Sequence, residues 1–127
     1  MKTTISPEFQ ARVDLFVEIA DKISAEDWAR SGYTHAMPPT HVATQISDKW
    51  IRVVSQDRDK EGKVLRGGSS YAFIAVQDNE TKSLGKVKMG DIHKCAGFAT
   101  PAKTARGNVF QDDFAKCMTR YGIVYLK

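Results

Sequence analysis

The sequence predicts an α+β domain: an N-terminal amphipathic helix on a three- to four-stranded, mainly antiparallel sheet, with a C-terminal helix and a short terminal strand. Three observations predict it. Phe9, Val13, Phe16, Val17, Ala20 and Ile23 recur at helical spacing. Trp50–Ser55 and Tyr71–Val76 are dense in β-branched and aromatic residues and are bounded by polar, glycine-bearing segments. Asn108-Val-Phe-Gln111 then reads as a capping box ahead of Phe114, Cys117 and Met118.

The elements follow in order. Ser6-Pro7-Glu8 supplies a capping hydroxyl, a proline at the first helical position and an acid in the first turn, so a helix is expected over 7–23. Its apolar face is expected to cover the sheet. Ser24-x-x-Asp27 repeats the start signal and predicts a second short helix ending near Gly32. Residues 31–41, with Pro38 and Pro39, form a loop. Val42–Ile46 reads as a short strand and 50–55 as a full one. Residues 56–70 are polar and glycine-bearing, the tip of a hairpin. The near-continuous apolar run at 71–76 belongs in the middle of the sheet. A third main strand is expected within 86–95, broken at Gly90. Residues 97–107 read as irregular, 108 onward as helix, and 123–126 as a terminal strand.

A chain of 127 residues, 42% apolar and 27% charged, is one globular domain with one ordinary core. No apolar run approaches the ~20 residues a bilayer span needs, and no hydrophobic signal core follows Met1-Lys2-Thr3-Thr4, so no membrane and a cytosolic location are expected. Cys95 and Cys117 fit neither a CxxC motif nor a disulfide framework and read as buried thiols. The net charge of +4 is uneven. Residues 1–81 hold 10 basic and 12 acidic side chains; residues 82–127 hold 9 basic and 3 acidic. The second half therefore points to an anionic partner.

The candidate site is Pro101-Ala-Lys-Thr-Ala-Arg-Gly-Asn108, read as a basic loop feeding a helix N-terminus. Such an end presents unpaired amides that attract phosphate or carboxylate. Lys103 would act as a point charge, Arg106 as a bidentate clamp, Gly107 as the point of close approach and Asn108 as the cap. Lys94 would extend the patch and Phe98 could stack on a base. A structural loop pinned by Arg106 pairing with Asp112 or Asp113 fits the same residues. Lys86, Lys88 and Lys94 could form a basic stripe beside Trp50, Tyr71 or Phe98, or could equally guard an edge strand. No cofactor or metal motif is present: His35, His41 and Cys95 are poorly spaced for zinc, and no nucleophile motif is evident among the histidines (His93 included) and cysteines.

Gly90-Asp-Ile-His-Lys-Cys-Ala-Gly-Phe98, Pro101-Ala-Lys-x-Ala-Arg-Gly-Asn-Val-Phe110 and Tyr121-Gly-Ile-Val-Tyr-Leu-Lys127 resemble a family of small proteins encoded by tailed bacteriophages. Its members carry Gly-Asp-Val-Leu-Lys-Ala-Ala-Ser-Trp-Lys-Ala-Pro-Ala-Lys-x-Ala-Arg-Gly-Asn-Ile and end Tyr-Gly-x-Ala-Tyr-Leu-Arg. Phe98 stands at the usual tryptophan and Lys127 at the usual arginine. The resemblance covers about 50–127, making 46–127 the family-like core and 1–45 a helical addition. It implies a phage origin and a host bacterial cytoplasm, with no activity attached. The reading that results is a non-enzymatic phage accessory protein binding single-stranded nucleic acid or a nucleotide. The alternative is a protein–protein module, either a minor virion component or an inhibitor of a host defence protein. A homo-oligomer is compatible with either.

Overall fold

The computed structural model describes residues 5–32, 36–65, 68–82, 84–97, 100–119 and 122–123. The architecture is α+β: one N-terminal helix and a mainly antiparallel sheet. Helix α1 runs unbroken over Pro7–Ser31. The Ser6 side chain accepts from the Phe9 N–H at 3.1 Å, and Gly32, at φ 73°, ends the helix in the left-handed conformation. The two helices expected from the sequence are therefore one. Ser24 does not cap; it continues the buried stripe Phe9, Val13, Phe16, Ala20, Ser24 at spacings of four and three. No glycine or proline interrupts the segment, so nothing stops propagation there.

The main sheet has five strands rather than three or four, in the order β1 (Thr40–Gln45), β2 (Trp50–Gln56), β3 (Ser69–Ala75), β6 (Asp91–Gly97), β7 (Thr100–Asn108). All neighbours are antiparallel. A small hairpin, β4 (Asn79–Thr81) with β5 (Gly85–Val87), is inserted between β3 and β6. Gly90, at φ 88°, is the break expected between the halves of the third strand. As its apolar run demands, β3 is central: Tyr71–Val76 are all buried. The helix face of the sheet presents Ile51, Val53, Ala72, Ile74 and Ile92 to α1, where Phe16 lies 6.1 Å from Tyr71 and 6.0 Å from Phe114 between ring centroids. The opposite face carries Arg52, Phe73 and His93, which register places side by side.

Two expectations fail at the C-terminal end. Residues 100–108 are not irregular; they are the edge strand β7. No helix starts at Asn108. The chain instead makes consecutive three-residue turns, Gln111 N–H to Asn108 O, Phe114 N–H to Gln111 O and Lys116 N–H to Asp113 O, around a single 3₁₀ turn at Phe114–Cys117. Isolated helices shorter than ~12 residues are marginal, and the Asn108 side chain already holds the backbone in a turn. Phe114, Cys117 and Met118 are still buried, as their spacing implied. Two short strands, β8 (Met118–Thr119) and β9 (Gly122–Ile123), pair after it. The rest of the expected terminal strand lies outside the described residues, as do His35 and Phe98.

Candidate functional site

Strands β6 and β7 pair as a bulged two-stranded ribbon at the edge of the sheet. Its register pairs His93 with Ala105 and Cys95 with Pro101. Lys94 therefore lies opposite residues 102–104, with Lys103 at their centre, and both lysines are exposed. The displaced carbonyl of Ala102 accepts from His93 Nδ1 at 2.7 Å, replacing a missing ladder bond with a side-chain one. A second bulge lies between Ile92–Gly107 and His93–Ala105, which leaves Arg106 as its extra residue. Arg106 is only 9% exposed.

Asn108 and Gly107 of the candidate segment serve the frame. Asn108 caps no helix: its Oδ1 accepts from the Phe110 N–H at 2.9 Å, and its Nδ2 donates to the Met89 carbonyl and to Asp91 Oδ1, each at 3.0 Å. A Cβ on Gly107 would sit 3.3 Å from Cys117 Sγ, so this glycine admits the thiol rather than an anion. A Cβ on Gly90 would sit 2.7 Å from the Phe110 ring and 2.8 Å from Asn108 Oδ1. Gly90, Asp91, Gly107 and Asn108, which are distant in the sequence motif, thus meet in one clasp. From α1, Arg12 closes it by donating through Nε to the Val109 carbonyl and through its terminal nitrogen to the Gln111 carbonyl, while lying 5.4 Å over the Phe114 ring. The cradle of open amides expected after Gly107 is absent, because the helix that would supply it is absent.

The aromatic platform is also different from expectation. Tyr71 is buried and donates its hydroxyl to the Thr119 carbonyl. Trp50 is half-buried, edge-on to His93 at 5.1 Å and to Phe73 at 6.1 Å. Lys86 and Lys88 flank the buried Val87 and are exposed, but Lys86 belongs to the inserted hairpin, where it faces Glu80 across the strands, and Lys88 follows that hairpin directly, outside the strand that carries Lys94.

Titratable groups elsewhere are engaged in the frame. His41 Nδ1 and the His41 N–H both contact Asp21 Oδ1, at 2.8 and 2.7 Å. Burial lowers the His41 pKa, opposed by Asp21. Burial pushes the Cys117 thiol up to about 11 and raises Cys95 as well, the latter against the pull of Ser70 and Arg52. Among the described residues no group of three potential metal ligands converges, and no helix is long and apolar enough to cross a membrane. No sequence pattern marks the Arg12 latch, which joins residues 97 positions apart, or the His93–Ala102 bond, which crosses a bulge. No family model, curated protein or solved structure matches the chain.

Proposed function

We propose that this chain is a non-enzymatic phage accessory protein that binds single-stranded nucleic acid electrostatically. Its contact surface is the exposed lysines of its second half, with Lys94 and Lys103 on the β6–β7 ribbon as the centre. The observation that carries this is the sorting of charge by exposure. Lys82, Lys86, Lys88, Lys94, Lys103 and Lys116 are all exposed, and among the described residues none is held in an ion pair. Arg106, in contrast, is drawn into the structure. A surface of mobile point charges suits a polyanion read along its backbone better than a single phosphate gripped in a pocket. Burial raises the pKa of both cysteines, so neither thiol is activated as a thiolate nucleophile.

Fluorescence anisotropy with labelled oligothymidylate tests the reading. Affinity should fall by roughly tenfold or more between 50 and 200 mM salt, as condensed cations are released. Replacing Lys94 and Lys103 together by alanine should reduce the salt slope by about 1.4, at roughly 0.7 per contact on a single strand. Absence of binding at low salt, or binding indifferent to salt, would refute it.

A further inference from the structure

The opposite edge of the sheet carries a different surface. In the β1–β2 pairing the Ile46 N–H donates to the Trp50 carbonyl, so the even-numbered residues of β1 aim their backbone groups at β2. His41 and Ala43 therefore aim theirs outward. The His41 N–H is taken by Asp21 Oδ1, which occupies the place a carbonyl of a further strand would hold. By the same alternation the N–H and carbonyl of Ala43 point away from β2, along the free edge of the sheet. Ala43 forms one wall of an open groove, and Gln10, Asp14, Val17, Glu18 and Asp21 of α1 form the other. Val42 and Ile46, on the alternate side of the strand, are 44% and 36% exposed.

We propose that the outer edge of β1 is a docking site for an extended segment of another protein carrying lysine or arginine at alternate positions. An added strand would exchange hydrogen bonds with Ala43. Strand alternation then turns every second side chain into the groove, where Asp14 and Glu18 offer exposed carboxylates above Val17. The intervening side chains lie beside Val42 and Ile46, which select apolar residues there. Charge complementarity decides the occupant. A second copy of this strand, arranged symmetrically, would bring Asp14, Glu18 and Asp21 of two chains together, and like charges across an interface oppose association.

The probe is an acetylated octapeptide of alternating lysine and valine, titrated into the full-length chain and followed by ¹⁵N NMR. The Ala43 amide should shift, and its hydrogen exchange should slow on saturation. Asp14→Asn with Glu18→Gln should weaken binding roughly tenfold, and a peptide of alternating glutamate and valine should not bind. Ala43→Pro removes an outward N–H without touching the ladder to β2, so it should abolish binding while far-UV circular dichroism stays unchanged. If that variant unfolds, the charge-neutralised double variant remains the test. Shifts confined to other strands, equal binding of the acidic peptide, or unchanged affinity of the double variant would each overturn the proposal. So would a concentration-dependent Ala43 shift with doubled mass in the absence of peptide, which would assign this edge to self-association.

Discussion

His41 is the residue whose chemistry most directly couples this fold to pH. Its imidazole is buried beneath α1, 4.6 Å edge-on from Tyr71, with Asp21 on one nitrogen. Desolvation outweighs the carboxylate and holds its pKa below 6.5. Below pH 6.5 the unfolded chain takes up a proton that the folded chain resists. The stability is thus fully present above pH 6.5 and is lost as pH falls toward the folded-state value. Thermal melts between pH 7.5 and 5 should show a steeper fall in Tm for the native chain than for His41→Gln, whose side chain does not titrate. Gly90 makes a steric prediction of the same scale. Its φ of 88° and the contacts awaiting a Cβ mean that Gly90→Ala should cost at least ~2 kcal/mol in urea denaturation. An unchanged midpoint would show that the clasp relaxes freely.

At the scale of elements, Arg12 adds hydrogen bonds to the ring contacts that join α1 to the C-terminal turns. Its guanidinium serves two carbonyls of a segment that forms no α-helix. Hydrogen bonds from a charged donor contribute roughly 1.5–3 kcal/mol. Arg12→Ala should therefore destabilise the fold by about 2 kcal/mol and speed amide exchange at Gln111 and Phe114 before elsewhere. Arg12→Lys should recover only part of this, since one ammonium cannot fork to both carbonyls. Elements governed by one dominant local signal are legible in the sequence. The Ser6-Pro7 start, the apolar stripe of α1, the central position of 71–76 and the break at Gly90 are of that kind. The Ser24 box misleads because the same serine also fits a core stripe, and burial decides. The Asn108 box misleads because an asparagine that can cap a helix can equally close a turn, and here Phe110, Met89 and Asp91 compete for it. β7 is hidden by its bulges, which disrupt the alternation by which strands are recognised.

For the molecule as a whole, the sheet separates two surfaces of opposite character. Its β1 edge meets the carboxylates of α1, and its β7 edge carries Lys103 beside Lys94. The charge imbalance is plain in the order of residues along the chain, and the fold keeps it apart in space because the meander runs in chain order from one edge to the other. What composition does not reveal is which cations the fold takes inward. Arg12 and Arg106 are built into the frame, while the described lysines of the second half stay on the surface. Mapping the oligothymidylate contact by ¹⁵N NMR on the full-length chain tests this directly. The amides of Lys94 and Lys103 should shift and recover as salt is added, with Ala43 at the far edge unmoved. Shifts centred on β1, or none on the β6–β7 ribbon at low salt, would contradict it.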